Sequence, residues 1–183
     1  MNKKSLSHRK KTRQLVTAAV ISALYVVMTL PFAQFAFGPI QFRLAESMSF
    51  LPMLIPAAIP GLTIGCFLAN LLNPGNLGPI DIIFGSLATF VSAILTRLIY
   101  ERMTLANINL KALIALLPPV GVNAVVVGTY LTFLLTNETI FVTMILINIL
   151  YVGLSQVVVV YIIGYPLMLM LRKTKILDTR QEE

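Results

Sequence analysis

Three ionisable residues, Arg43, Glu46 and Asp81, interrupt stretches of sequence that are otherwise almost uncharged. Charged groups at membrane depth are costly, and by default they mark a site of ligand binding or transport. We therefore interpret Glu46 as a ligand-binding carboxylate. Structural alternatives exist: Arg43 and Glu46 are three residues apart and can pair on one helix face, and Asp81 can interact with the free amides of a helix N-terminus. For Asp81, helix capping and ligand binding are both open interpretations.

Further polar and aromatic residues accompany these charges. Gln41 and Asn70 add amide groups, and Phe42 and Tyr130 add flat surfaces on which a ring can stack. Asn123 falls in the middle of an apolar run, where its amide needs a partner in another helix or in a bound molecule. The set predicts an outward-facing pocket that suits a small planar ligand with several donors or a positive charge.

The side-chain inventory excludes several kinds of catalysis. The sequence contains a single cysteine, Cys66, and a single histidine, His8, which lies in the basic N-terminal tail. An intrachain disulfide, a thiol cluster, a histidine-based metal site and a catalytic triad are therefore excluded. There is no loop of the GxxxxGKS or GxxxxGKT type, so nucleotide hydrolysis by that route is not expected. We predict a protein that is not an enzyme and has no metal or cofactor of its own.

The composition indicates an integral membrane protein. Hydrophobic residues make up 57% of the chain and charged residues only 11%, whereas a soluble domain has about a quarter charged residues. We predict one membrane domain over residues 1–183, with a basic tail at 1–10 and a second tail at 176–183. The apolar stretch after the first tail lacks a small-residue cleavage site, so we expect a retained span. Because the net charge of +7 lies largely in the tails, nucleic acid is not an expected partner.

Turn residues divide the apolar runs into six helices, which predicts an all-α membrane protein. The predicted helices are Lys11–Phe35, Leu44–Ala58, Pro60–Asn73, Pro79–Glu101, Lys111–Thr136 and Thr139–Lys173. The second and third are short, since crossing a membrane takes about 20 residues. We interpret them as a pair joined by a tight turn at Pro60 and Gly61.

The distribution of basic residues predicts the orientation. If the N-terminus is cytoplasmic and six helices cross, all fourteen Lys and Arg residues except Arg43 lie on the cytoplasmic side. An odd number of helices would place one basic terminus outside, against the positive-inside bias. We therefore predict that both termini are cytoplasmic, which puts Arg43, Glu46 and Asp81 toward the outer face.

Small residues one helical turn apart allow close packing of helices in lipid. One such seam, Gly61-xxx-Gly65-xxx-Ala69, lies in the third predicted helix, and we interpret it as packing within the chain's own bundle. The first predicted helix carries a second seam, formed by Ala18, Ala19, Ser22 and Ala23. Because this seam lies just after the basic tail, packing within the bundle and docking of a second membrane subunit both account for it.

Four stretches of the sequence resemble the QueT family of queuosine-precursor transporters. They are, in chain order, FGPIQFRLAE at residues 37–46, AIPGLTIGC at 58–66, DIIFGSLAT at 81–89 and PPVGVNA at 118–124. The similarity extends over nearly the whole chain, and the four stretches follow one another in the same order as in the family. Each stretch alone is a weak match, but the four together are specific.

The resemblance implies a substrate-binding S component of an energy-coupling factor (ECF) importer. Such a subunit is a six-helix, multi-pass bundle in the bacterial cell membrane that captures a vitamin-like molecule from outside. Its expected partners are the lipid bilayer, a transmembrane coupling subunit and two ATPases, which use ATP and Mg. The resemblance further implies docking through Ala19 and Ala23, gating by the loop from Phe37 to Phe42, and toppling of the subunit in the bilayer.

The implied ligand is a 7-deazaguanine base, such as 7-aminomethyl-7-deazaguanine or queuine. Its ring N–H and exocyclic amine lie side by side, and a single carboxylate can accept both. We assign Glu46 to this donor edge and Asp81 to the ammonium, with the two roles exchangeable. Arg43 is expected to pair with Glu46 in the ligand-free state or to shape the gate.

The remaining site residues have supporting roles in this hypothesis. Gln41 or Asn123 donates to the ring carbonyl, and Phe42 or Tyr130 stacks on the base. Two alternatives remain open: an S component for a different vitamin-like ligand, and a self-sufficient carrier driven by an ion gradient. Such carriers usually show inverted repeats and broken helices near the midplane, and no repeat is detectable in this sequence.

Overall fold

The computed structural model describes residues 3–36, 41–73, 75, 77–135 and 142–173, and within them the chain forms helices and no strand. The α-helices are α1 (Lys3–Thr29), α2 (Ala33–Ala36), α3 (Leu51–Leu54), α4 (Ala58–Leu72), α5 (Pro79–Arg102), α6 (Ile108–Ala115), α7 (Leu117–Leu135), α8 (Val142–Val157) and α9 (Tyr165–Lys173). Three segments have other helical geometry: 3-10 helices at Leu30–Phe32 and Leu44–Phe50, and a π-helix at Val158–Gly164.

Within the described ranges, four helical segments are long and apolar enough to cross a membrane, which supports the predicted class of all-α membrane protein. They are His8–Phe32, Pro79–Arg102, Ile108–Leu135 and Val142–Lys173. The helix Ala58–Leu72 is apolar but shorter. The predicted tail at 176–183 and the start of the sixth predicted helix lie outside the described residues.

The second predicted helix, Leu44–Ala58, is the largest error of the sequence-based prediction. Residues 44–50 form a 3-10 helix, α3 follows for four residues, and the chain then turns at residues 55–57. Ile55 is extended, with φ −133° and ψ 117°, as expected for a residue that precedes a proline. The turn therefore lies at Pro56 and not at Pro60, which sits in the first turn of α4, where a missing amide N–H costs little.

The fifth predicted helix, Lys111–Thr136, is divided into α6 and α7. The side-chain oxygen of Asn107 caps α6, accepting hydrogen bonds from the backbone amides of Asn109 at 3.0 Å and Leu110 at 3.3 Å, which starts this helix three residues earlier than predicted. The break at Leu116 arises because Pro118 and Pro119 lack N–H donors and fit only in the first turn of a new helix.

Helix α1 packs on α4, which packs on α5, and α5 packs on α7, which packs on α8. The closest approach of α1 and α4 is at the glycine seam. A Cβ atom built on Gly65 would lie 2.6 Å from the Cβ of Tyr25, and one on Gly61 would lie 2.9 Å from the carbonyl oxygen of Ala18. The interpretation that this seam packs within the chain's own bundle is therefore confirmed.

The two irregular helices pack against each other in the middle of the bundle. The 3-10 helix Leu44–Phe50 lies on the π-helix Val158–Gly164 and also contacts α1. A Cβ atom on Gly164 would lie 2.5 Å from the carbonyl oxygen of Ser47, so only glycine allows this approach. The contact holds the 3-10 helix, and with it Glu46, inside the bundle.

The Gly164→Ala variant is expected to lower the free energy of unfolding by about 1–3 kcal/mol, because the added methyl group meets a backbone oxygen that has no room to move. The matched control is Gly121→Ala, since a Cβ atom on Gly121 in α7 would meet nothing within 4 Å. Thermal unfolding of the two purified variants in detergent makes the comparison. Equal midpoints for both would show that the 3-10 and π helices do not touch as described.

Candidate functional site

Glu46 lies on the 3-10 helix and is buried. The Tyr25 hydroxyl on α1 donates to Oε1 of Glu46 at 2.6 Å, and the Ser49 hydroxyl donates to Oε2 at 3.0 Å. The 3-10 geometry explains the second bond, because residues three apart eclipse each other on such a helix. Both donors are neutral hydroxyls, so the carboxylate is hydrogen-bonded by them without being neutralised.

Arg43 and Asp81 form an ion pair across the bundle. Nη2 of Arg43 lies 3.3 Å from Oδ1 of Asp81, and the Tyr130 hydroxyl on α7 donates to the same oxygen at 2.6 Å. Nε of Arg43 donates to the carbonyl of Ala36 at 3.2 Å, and Nη1 lies 3.6 Å from Sγ of Cys66. The sequence suggested that Arg43 pairs with Glu46, three residues away. In the structure Arg43 pairs instead with Asp81, which is 38 positions away.

Asp81 is in the first turn of α5 and is fully buried. Its carboxylate is engaged by side chains from two other parts of the chain, through Arg43 and Tyr130. The arrangement ties the start of α5 to α7 and to the segment before the 3-10 helix. Asp81 thus anchors Arg43 in this conformation, a role not considered from the sequence, and its ligand-binding role stays a prediction.

Asn70 contacts the backbone of Asp81, one partner of this ion pair. Its Nδ2 donates to the backbone carbonyl of Asp81 at 3.1 Å and lies 3.9 Å from Sγ of Cys66. A Cβ atom on Gly85 would lie 2.9 Å from Nδ2 of Asn70 and 3.3 Å from the Tyr130 hydroxyl. Glycine at this position therefore lets α4, α5 and α7 meet around the buried carboxylate.

A small cavity lies beside the charged residues. Its lining consists of Gln41, Arg43, Glu46, Gly85, Thr89, Asn123, Val127, Val152 and Gln156. The volume open to water is about 10 Å³, which is room for roughly one water molecule. The site is therefore closed in this conformation, and a planar heterocycle enters only if the lining elements move apart.

Three amide side chains around this cavity have buried polar atoms without a hydrogen-bond partner in the described part of the chain. These atoms are Nε2 of Gln41, Nδ2 of Asn123 and Oε1 of Gln156. Buried polar atoms in proteins are nearly always paired, so each exception needs an explanation. Gln41 also has a positive φ of 46°, which is uncommon for a residue with a long side chain.

The structure separates the eight predicted binding residues into groups. Glu46, Arg43, Gln41 and Asn123 line the cavity. Asp81, Tyr130 and Asn70 form a layer behind Arg43. Phe42 is half-buried and is not among the lining residues. Of the predicted gate, residues 37–40 lie outside the described residues.

Two residues of the site were missed by sequence reasoning. Gln156 is the only glutamine in the last apolar run, which also contains Asn148, and the argument that singled out Asn123 applies to Gln156 equally. Tyr25 gave no signal, because a tyrosine in an apolar helix is ordinary and its bond to Glu46 joins residues 21 positions apart.

A second concave surface lies along α1. It is an apolar groove of about 800 Å³ between α1, the turn at residues 55–57 and α4. Its lining includes Ala18, Ala19, Ser22 and Ala23. Ala19 and Ala23 are exposed, whereas Ala18 and Ser22 are buried against α4. The small residues of α1 thus serve two contacts, one inside the bundle and one on its surface.

Comparison with known proteins places these features in a family context. A family model described as QueT transporter matches residues 15–173. A protein named "Queuosine precursor transporter QueT" from Lactococcus lactis subsp. cremoris (strain MG1363) is 35% identical over 96 residues. This alignment covers 51% of the present chain and 55% of the relative, so the chain spans about half the length of the relative it matches. No solved structure matches the chain significantly.

Proposed function

Because the chain belongs to the QueT transporter family, we propose that it is the substrate-binding S component of an ECF importer for a queuosine precursor. The ligand in this proposal is a 7-deazaguanine base that is captured on the outer side of a bacterial cell membrane. The Lactococcus relative supports the ligand class, since its name gives queuosine precursors as what it transports. ATP and Mg act in partner ATPases and not in this chain.

The observation that carries the proposal is the charge composition of the buried site. Among the buried residues of the described ranges, the charged ones are Arg43, Glu46 and Asp81, which leaves one negative charge in excess. An uncompensated charge in a low-dielectric interior is strongly unfavourable. A ligand with a cationic or donor-rich group removes this penalty, and 7-aminomethyl-7-deazaguanine has both.

The proposed topology has six crossings and cytoplasmic termini. The residues 44–54 supply the second crossing, which at the rise of 3-10 and α geometry is about 20 Å long. Helix α4 supplies the third, at about 22 Å. Both are shorter than the apolar core of about 30 Å, and they meet at the turn at residues 55–57. The positive-inside bias supports this orientation.

The groove on α1 and α4 is the proposed docking site for the coupling subunit. Its exposed small residues, Ala19 and Ala23, let another helix approach closely. Tyr25 lies further along the same helix and donates to Glu46. A shift of α1 during docking therefore changes the hydrogen bonding of the ligand-binding carboxylate, which gives docking a direct route to ligand release.

Replacement of both Ala19 and Ala23 with leucine is expected to abolish co-purification of the coupling subunit and the ATPases, because two added side chains fill the close-approach surface. The control is Val20→Leu, since Val20 is exposed on α1 but does not line the groove. Affinity capture through a tag on this chain measures the complex. Retention of all partners by the double variant would contradict the docking proposal, as would their loss from the control.

A further inference from the structure

Three primary amides on three different elements converge on the cavity beside Glu46. Gln41 precedes the 3-10 helix, Asn123 is in α7 and Gln156 is in α8. Their exposed fractions are 2%, 3% and 3%, respectively. All three line the same cavity, and each has a polar atom without a partner in the described ranges. Unpartnered buried polar atoms also occur elsewhere in the described ranges, but these three belong to amides that line one cavity.

The backbone at Gln41 gives a second sign that this arrangement serves a ligand. Its φ of 46° is in the left-handed region, and such conformations are retained where the surrounding structure enforces them, often at binding sites. The carbonyl of Gln41 accepts hydrogen bonds from the amide of Arg43 at 3.1 Å and from the Ser155 hydroxyl at 3.3 Å. Ser155 is the neighbour of Gln156, so the strained residue and α8 are held together at the cavity.

We propose that Gln156, with Gln41 and Asn123, binds the lactam edge of the ligand's base and leaves Glu46 to bind its positive charge. This inference rests on the proposed function. The edge of a guanine-type base presents a carbonyl acceptor next to ring N–H and amine donors. Nε2 of Gln41 or Nδ2 of Asn123 donates to the carbonyl, and Oε1 of Gln156 accepts from the donors. Each amide has a donor NH2 and an acceptor oxygen on the same carbon, so one amide can pair with the neighbouring carbonyl and N–H of the base.

The distribution of charge explains why amides and not carboxylates take the neutral edge. Asp81 is committed to Arg43 and Tyr130, and the hydrogen-bond donors to Glu46 are the neutral hydroxyls of Tyr25 and Ser49. The excess negative charge is therefore located at Glu46, where a cationic group of the ligand compensates it. Amides bind the uncharged edge without adding further charge to the buried site.

The test measures the binding of three bases to the full chain in detergent by calorimetry. One base carries a positive charge and two are neutral. The probes are 7-aminomethyl-7-deazaguanine, the parent 7-deazaguanine, and 2,6-diamino-7-deazapurine, in which an amine replaces the ring carbonyl. The wild type is expected to bind 7-deazaguanine about tenfold or more tightly than the diamino base, because a donor then faces the amide donors. It is also expected to prefer the aminomethyl base to the parent.

The decisive variant is Gln156→Met, which keeps the length of the side chain and removes its hydrogen-bonding groups. Affinity for 7-deazaguanine is expected to fall about tenfold or more, while the preference for the aminomethyl base over the parent is unchanged. Glu46→Gln is expected to give the converse pattern, with loss of that preference. The thermal midpoint of ligand-free Gln156→Met is expected to equal or exceed that of the wild type, because an unpaired buried polar atom has been removed.

The control is Asn148→Leu, a change of another α8 amide that lies outside the cavity and donates to the Thr132 hydroxyl at 2.8 Å. Its affinities are expected to match those of the wild type. Unchanged affinity of Gln156→Met for 7-deazaguanine would overturn the inference, and so would a lowered ligand-free midpoint, which indicates a structural role. Failure of the wild type to bind any of the bases would instead refute the proposed function itself.

Discussion

The Glu46→Gln variant is expected to bind 7-aminomethyl-7-deazaguanine about 10- to 100-fold more weakly than the wild type, the range for loss of a hydrogen bond to a charged group. Glutamine preserves the shape of the side chain and removes its charge, so the ammonium of the ligand loses its counter-ion. The loss is smaller for the neutral 7-cyano base. Titration calorimetry on the purified variants measures both affinities.

Glu101→Gln is the matched control for this prediction. Glu101 is an exposed carboxylate that pairs with Arg97 near the end of α5, and its neutralisation leaves the cavity unchanged. Ser49→Ala is a second comparison, because it removes one donor to Glu46 and keeps the charge. If Glu46→Gln and the wild type bound the aminomethyl base with equal affinity, Glu46 would not be a ligand-binding residue.

The second large effect concerns the buried ion pair. The Arg43→Met variant is expected to lose about 3–5 kcal/mol of stability, since the Asp81 carboxylate is then left buried without its counter-ion. The double variant Arg43→Met with Asp81→Leu is expected to recover much of this loss, because a buried ion pair is replaced by apolar side chains. Unfolding of the ligand-free variants by heat or denaturant in detergent gives the free energies.

Arg97→Met provides the control for the ion pair. Glu101 is exposed, whereas Arg97 is half-buried and also donates to the carbonyl of Pro52 at 3.3 Å. Ion pairs open to solvent contribute about 0–1 kcal/mol, so we expect a smaller loss here than at the fully buried pair. A loss of stability in Arg43→Met no greater than that in Arg97→Met would show that the Arg43–Asp81 pair does not stabilise the bundle. A double variant as unstable as Arg43→Met alone would assign the loss to contacts of Arg43 other than Asp81.

The sequence predicted where the long apolar helices lie, because apolar runs of about 20 residues have few other interpretations, but α1 begins at Lys3 and not at Lys11. The fourth predicted helix, Pro79–Glu101, differs from α5 by one residue. The 3-10 helix at residues 44–50 was not predictable in the same way. Its geometry depends on contact with a π-helix more than 100 residues away, and no local pattern in the sequence records that contact.

The site was predicted in its residue types and only partly in its geometry. Burial of Arg43, Glu46 and Asp81 follows from their position in apolar runs, and the structure buries all three. Which of them pair depends on how α5 and α7 pack, so the Arg43–Asp81–Tyr130 cluster was not foreseen. Gln156 could have been found by the rule already applied to Asn123, that an amide in an apolar span needs a partner.

The proposed importer function is best tested by uptake of radiolabelled 7-aminomethyl-7-deazaguanine in bacteria that express this chain. We expect uptake when the coupling subunit and both ATPases are present, and none when the ATPase genes are deleted or their ATP sites are inactivated. Uptake that persists without any ATPase subunit would contradict the importer proposal and would identify a self-sufficient, ion-coupled carrier instead.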